Sequence, residues 1–461
     1  MDPVSKFTRF YLRLLKALVQ RHFIFILVGC ALGILVFIYI SSFENSHGGQ
    51  VGKRTIAVIG EYTINTLPPE VVSLFAQGLT KIEKDGTPTP SLALSWKEED
   101  KSQKFTFTVD QNVRWQDGKP VLAKDLRFQF KDVEISYPAA NEIEFKLQDS
   151  YAPFLSTVSR PIFKINKPKN KFLAFILWIL KKDLPIGTGP YQITDIAAKN
   201  QNIARIDLKP LSKQLPSVSF RFYSTEDTAI TAFKLGEVKE IFDLSSPHAL
   251  TDWPNIVGSG KSRDDRYVAV FFNTQKDPFS NKNLRQALSY AINKNIFPNR
   301  AIGPLNPNSW AYNNQVKPYD QELTKTRSLL KQANFDKDLN IEISTFPWLL
   351  KQAEVIKNQW ETAGIKATVK VINSIPDDFD VLLEVQAIPV DPDQYNLWHS
   401  TQQTNLTRLK SPKIDKLLED GRKTGDHNTR QKIYLDFQRF LVEESPAIFL
   451  FHPISYSISR Y

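Results

Sequence analysis

An α/β fold of two or more lobes is predicted by three observations on this chain. Short apolar runs with strand periodicity alternate along most of its length with segments whose apolar residues recur at helical spacing. The chain has 461 residues, 42% hydrophobic and 12% aromatic, enough to bury a large core. Its lone cysteine, Cys30, excludes a disulfide framework or a cysteine metal site within one chain, so packing must supply the stability.

The N-terminal segments come first. Residues 1–22 carry Lys6, Arg9, Arg13, Lys16 and Arg21 against Asp2 alone, with Phe7, Phe10, Tyr11, Leu14, Leu15 and Leu18 at helical spacing. This reads either as a basic amphipathic segment on an anionic inner leaflet or as a solvated extension of the next helix. Residues 23–43 hold no charge over a length close to the about 20 residues that cross a bilayer as a helix. One N-terminal transmembrane helix is therefore expected, with a cytoplasmic N-terminus and the rest of the chain extracytoplasmic. Leu27-Val28-Gly29-Cys30 resembles a lipobox, yet the apolar run continues through residues 31–40, which favours a retained membrane anchor over lipidation or cleavage. Residues 44–53 read as a polar linker.

Beyond the linker, Thr55–Ile59 is the first strand candidate. Phe105, Phe107 and Val109 alternate with Thr106 and Thr108, as a strand with one buried face should, and Asp117-Gly118 marks a turn. Further strands are expected at Ile143–Leu147, Val218–Tyr223, Tyr267–Phe272, Asn340–Ser344, Ala367–Ile372, Phe379–Val385 and Ala447–Phe451. A helix is expected over Asn283–Asn293, where Leu284, Ala287, Leu288 and Ala291 share a face. Another is expected over Gln352–Ala363, closed by Gly364, and Ser411-Pro412 opens a third with proline in its first turn. The apolar run Phe172–Leu180 is too short to cross a bilayer and reads as a buried helix or a membrane-surface contact.

Charge and motif content exclude several classes. The formal charge is +10, of which the five bases and one acid of residues 1–43 supply +4, leaving a mild +6 over the remainder. No segment interleaves bases with aromatics as a nucleic-acid surface would, so no nucleic-acid partner is expected. The six histidines lack metal-ligand spacing, and neither a metal nor a cofactor is expected. Gly258-Ser259-Gly260-Lys261-Ser262 imitates the end of a phosphate-binding loop, but Asn255 stands where that motif requires glycine. No GxSxG elbow occurs, and Asp264-Asp265 and Asp377-Asp378 read as turn carboxylates, so the chain is expected not to be an enzyme.

The segment from Leu74 to Leu126 resembles the N-terminal signature of the bacterial extracellular solute-binding proteins of family 5, receptors that deliver ligands to ABC importers. Further blocks follow in that family's order: Pro185 to Tyr191 (PIGTGPY), Phe271-Phe272-Asn273-Thr274, Phe279 to Leu288, Trp360 to Lys366, and Asp391-Pro392-Asp393-Gln394-Tyr395. The resemblance implies a two-lobed periplasmic-binding-protein-like fold (type II, cluster C-like) with hinge strands. It implies lobe I over 54–265, lobe II over 266–446 and a return to lobe I over 447–461, with crossings near Arg266–Thr274 and Pro446–His452. The short segment between Phe130 and Ile143 implies a first lobe smaller than in peptide-binding relatives.

The resemblance also implies a monomeric receptor that closes about a hinge on a peptide or other small-molecule ligand and presents it to ABC transporter permease subunits. Strand-like main-chain hydrogen bonding would suit an extended peptide. Lining residues are then expected at Gly60, Glu61, Tyr62 and Asn273, and from the second lobe at Gln386, Ile388, Asp391, Asp393, Tyr395, Trp398 and His399. Many peptide-binding members carry, three residues before the Asp-Pro pair, an aspartate that pairs with the ligand's ammonium. Here that position is Ile388, which cannot compensate a cation, so capture of a free amine is not expected from it; Glu384, Asp391 or Asp393 could substitute, or else are surface or turn carboxylates, Asp391-Pro392 being a natural turn initiator. A ligand sensor, an oligosaccharide receptor with Tyr62, Tyr395 and Trp398 as stacking surfaces, and a membrane-tethered hydrolase remain as alternatives.

Overall fold

A computed structural model describes residues 52–164, 184–335 and 340–461. The expected basic segment, the transmembrane helix at 23–43 and the apolar run 172–180 lie outside these described residues. Among the described residues, no helix is long and apolar enough to cross a membrane.

The chain opens with β1 (Arg54–Ile59), then a small hairpin of β2 (Thr80–Ile82) and β3 (Pro88–Pro90). A meander follows, built from β4 (Ala93–Glu99), β5 (Lys104–Val109), β6 (Val133–Ser136) and β7 (Glu142–Leu147) in the order β4-β5-β7-β6. Its amphipathic pattern explains its place: Phe105, Phe107, Val109, Ile143 and Phe145 all enter one buried cluster, while Thr106 and Glu144 face outward. The Asp117-Gly118 turn forms as expected, with Gly118 at φ +82°.

Next come β8 (Tyr191–Lys199), β9 (Asn202–Pro210), β10 (Val218–Tyr223), α1 (Glu226–Lys234), β11 (Glu240–Leu244) and β12 (Ile256–Ser262). With β1 and the final β18 (Ile454–Arg460) these strands form a seven-stranded sheet in the order β12-β18-β11-β1-β10-β9-β8 among the described residues. β1 shows why both faces are covered: Ile56 and Val58 enter one cluster, Ala57 and Ile59 another. The glycine-rich run that imitates a phosphate-binding loop lies in β12, paired residue by residue with β18, and is sheet rather than loop.

The second sheet has the order β15-β14-β16-β13-β17, from β13 (Arg266–Phe272), β14 (Asn340–Thr345), β15 (Lys366–Val371), β16 (Val381–Ala387) and β17 (Ala447–Phe451). The continuous apolar run of β13 follows from burial on both faces. Tyr267, Ala269 and Phe271 pack into one cluster, and Val268, Val270 and Phe272 into the other. Around this sheet lie α2 (Lys282–Tyr290), α3 (Leu323–Gln332), α4 (Leu350–Thr362), α5 (Tyr395–Trp398), α6 (Pro412–Lys423) and α7 (His427–Glu444). Gly364 at φ +83° follows α4, and Pro412 lies in the first turn of α6, as the sequence predicts.

Three boundaries differ from expectation. β16 starts at Val381, not Phe379, because the carbonyls of Phe379 and Asp380 bind Asn273 before the ladder begins. α2 stops at Tyr290, since Asn293 caps a separate short turn through the N–H of Asn295 at 3.1 Å. Finally, Ala447–Phe451 pairs with β13, and the chain rejoins the seven-stranded sheet only at Ile454, because the wholly apolar β17 is buried along its length.

Candidate ligand-binding site

Strand directions locate the site. β1 is parallel to β10 and β11, and β12 reaches the same direction through two antiparallel pairings with β18. The short link 263–265 therefore leaves the first sheet at the carboxyl edge of its parallel strands. β13 is antiparallel to β16, which is parallel to β14, and β14 to β15, so that link joins the second sheet at its carboxyl edge too. The return crossing through His452 and Pro453 does the same in reverse. Carboxyl edges of parallel strands, with their loops, are where open α/β sheets bind ligands.

The two crossings are tied side by side. Arg263 donates its backbone N–H to Pro453 at 2.8 Å, and His452 Nδ1 lies 2.8 Å from the carbonyl of Arg266. The Arg263 guanidinium binds Asp243 of β11 and both oxygens of Asp265, each at 2.8 Å. Those hydrogen bonds hold it above its ordinary range and hold the Asp265 carboxyl below its own, against the opposing effect of burial. Farther out, Trp310 donates its backbone N–H to Asp85 at 2.9 Å, and Asn308 Nδ2 to Asp264 at 3.0 Å, linking the two halves again.

Gly60, Glu61 and Tyr62 lie where β1 ends. Gly60 donates to the carbonyl of Tyr223 at 2.7 Å and sits at φ +123°, where a Cβ would meet the Tyr62 ring. Glu61 is exposed and accepts from Asn202 Nδ2 at 2.8 Å, and Gly60 and Glu61 line a cavity of about 450 Å³ with Tyr223 and Ser224. The Tyr62 hydroxyl donates back to Ile59 at 2.9 Å, and its ring meets Phe222 edge-on.

The second-lobe residues divide into three groups. Asn273, Ile388 and Trp398 are buried: Asn273 holds the carbonyl of Phe379 at 3.2 Å, Ile388 belongs to the apolar cluster, and Trp398 packs by Phe271 and Phe449. Asp391 and Asp393 are neutralised within the lobe, Asp391 by both ends of Arg430 at 3.0 and 2.5 Å, Asp393 by Arg422 at 3.0 and 2.7 Å. The Arg422 guanidinium lies over the Tyr395 ring at 4.0 Å, and the buried His399 ring stacks on the same tyrosine at 4.1 Å. Arg422, Tyr395 and Glu419 line a cavity of about 570 Å³ facing Tyr151, Gln148 and Asp132 of the meander region, where Ala152 donates to the carbonyl of Arg422 at 2.8 Å.

Gln386 lies on the remaining stretch. β14 pairs with β16 only as far as Thr345 opposite Leu383, so residues 384–387 keep β13 on one side and have no strand on the other among the described residues. Beside that open edge the chain leaves β14 through Phe346 and Trp348, whose rings stack at 4.6 Å, with Trp348 62% exposed. Sequence reasoning missed this pair and the open edge; the available signal was the Phe-Pro-Trp run directly after a strand.

Two α/β sheets joined by a pair of crossing segments at their carboxyl edges, with an open strand edge between, define a two-lobed solute-binding protein. The bacterial extracellular solute-binding proteins, family 5 (middle region), match residues 87–407, and the chain belongs to that family. It is 23% identical over 442 residues to the dipeptide-binding protein of Escherichia coli K12, covering 79% of this chain and 80% of that one. It is 22% identical to the oligopeptide-binding protein AppA of Bacillus subtilis, covering 88% and 87%. Among solved structures it superposes on the ABC transporter substrate binding protein CtaP of Listeria monocytogenes with a TM-score of 0.73 at 21% identity, covering 89% and 94%. The described region is thus an extracytoplasmic domain that binds solutes rather than an enzyme, and the hydrolase alternative falls away.

Proposed function

We propose that the chain captures peptides between its lobes and delivers them to an ABC importer. The observation that carries this reading is the open edge of β16 at the junction of the lobes, which offers main-chain donors and acceptors to an extended ligand irrespective of its side chains. Relatives whose names state dipeptide or oligopeptide binding support it.

In this reading lobe I comprises residues 54–265 and 454–461, lobe II residues 266–451, and the links 263–265 and 452–453 act as the hinge. Gly60, Glu61, Tyr62, Gln386 and Tyr395 face the ligand. Asn273, Ile388, Asp391, Asp393, Trp398 and His399 support the walls from behind. Residues 23–43 anchor a monomer in the membrane beside permease subunits.

Native mass spectrometry of the full-length chain, purified in mild detergent from its host, tests the reading. Retained peptides of mixed sequence are the expected result. A retained saccharide or metal chelate would assign the cleft to another solute, and a response lost on deletion without any change in uptake would favour a sensor.

A further inference from the structure

The end of the seven-stranded sheet that lies opposite the cleft carries exposed apolar side chains. β1 opens there at Arg54, Glu240 at the start of β11 pairs with Ser459, and Ile256 at the start of β12 pairs with Arg460. This is the amino edge of the parallel strands, whereas both crossings lie at their carboxyl edge. α1 runs back to the amino edge and is followed by Leu235, and the chain between β11 and β12 arrives there through Trp253. Leu235, Trp253 and Tyr461 are 71%, 41% and 80% exposed. Backbone contacts make them one surface. Arg460 donates its N–H to Lys239 at 2.9 Å and its guanidinium to the carbonyl of Phe233 at 3.0 Å, beside Gly236. Tyr461 donates to the carbonyl of Asn255, two residues from Trp253, at 3.2 Å.

The charge around this surface is basic. Lys234 and Lys239 are exposed and have no acid partner among the described residues. The Arg460 guanidinium meets the Phe233 carbonyl and the ring of the same residue, 4.8 Å away, rather than an acid. Glu240 is held by Arg54 at 2.6 Å and Glu237 lies 3.6 Å from Arg221, which leaves the exposed Asp252 against three bases. Tryptophan and tyrosine with aliphatic and basic neighbours settle at a membrane–water interface, rings at headgroup level and cations toward anionic phosphates. A second copy of the chain fits less well, because a self-complementary contact would bring the same bases together.

Chain length selects the membrane as well. Ten residues, 44–53, separate the uncharged run 23–43 from β1, and fully extended they span at most about 36 Å. With residues 23–43 in the bilayer, the edge at which the chain enters the sheet is held within that distance of the lipid.

We propose that the amino edge of lobe I docks on the anionic surface of the bilayer that holds the anchor. The docking rests on the reading of residues 23–43 as a membrane anchor, given above. Leu235, Trp253 and Tyr461 enter the interface while Lys234, Lys239 and Arg460 meet the lipid phosphates. Docked in this way, the domain turns its cleft, at the opposite ends of the same strands, away from the bilayer and toward the solution from which ligand arrives.

The test places the full-length chain, one copy per disc, in lipid nanodiscs of phosphatidylcholine alone or mixed with phosphatidylglycerol. Hydroxyl-radical oxidation of Trp253 and Tyr461 is then read by mass spectrometry relative to Trp348, which is exposed on lobe II. At least about threefold less oxidation is expected in the anionic discs, with the protection lost in about 0.5 M sodium chloride and in the double variant Lys234→Glu, Lys239→Glu. Thermal unfolding checks that the variant folds, and the salt arm needs no variant. Equal oxidation in both kinds of disc overturns the docking and leaves the anchor standing, whereas a chain that does not co-purify with discs overturns both. Protection that survives salt and charge reversal overturns an anionic lipid surface as the partner. Protection found only in discs that carry two copies assigns the edge to a second chain and overturns the proposal.

Discussion

Ile388 donates its backbone N–H to the carbonyl of Asp265 at 2.8 Å, so the end of the open strand is fastened to the crossing segment between the lobes. Its side chain points away into the apolar cluster and is 6% exposed. A carboxylate introduced there would be buried without a basic partner. Ile388→Asp is therefore expected to destabilise the protein by about 2–5 kcal/mol. Urea unfolding checks this; an unchanged midpoint would show that position 388 opens toward solvent.

Asp391 and Arg430 form the most enclosed ion pair beside the cleft, with both side chains largely buried. Removing one charge strands the other, so Asp391→Asn is expected to cost about 3–5 kcal/mol. Asp393→Asn should cost less, since Arg422 is more exposed and keeps its stacking on Tyr395. Denaturant midpoints measured side by side give the ranking, and equal losses would contradict it.

The PIGTGPY block that carries much of the family resemblance holds lobe I together. A Cβ on Gly187 would lie 1.9 Å from the carbonyl of Phe75, and one on Gly189 2.5 Å from that of Leu74. Gln116 clamps the same place, donating to Phe75, Gly189 and Tyr191 and accepting from Gly187. Gly187→Ala should cost at least about 2 kcal/mol through forced backbone displacement. Gln116→Leu, by leaving several backbone groups without partners, should cost about as much. Thermal unfolding of the two variants decides, and a wild-type transition for Gly187→Ala would refute the close packing.

The sheets were legible wherever one strand carries its own signal. Phe105, Phe107 and Val109 announce a one-faced strand, and the run from Tyr267 to Phe272 a strand buried on both sides. What stayed hidden depends on partners distant in sequence. Nothing near Asp391 and Asp393 shows that arginines 39 and 29 residues later neutralise them. The open edge is a matter of register between β14 and β16.

Lys294 lies outside the cleft and gives a pH-dependent prediction. The residue is 3% exposed, and its ammonium donates to the carbonyls of Ser289 and Tyr319, each at 2.6 Å, joining the end of α2 to the segment before α3. Burial, aided by nearby Arg300 and opposed by Asp320, pushes it down to about 7 from the usual 10.5. A lysine depressed in the folded state means that between those values the unfolded chain binds more protons. This group therefore makes stability rise as pH increases through that window, by up to about 1.4 kcal/mol per pH unit, with its penalty complete below pH 7. Lys294→Met removes the titration and leaves the carbonyls without their donor. The stability of the wild type relative to Lys294→Met should be flat below pH 7 and climb above it in urea titrations; parallel curves from pH 7 to 9 would show that the carbonyl cage keeps the ammonium charged.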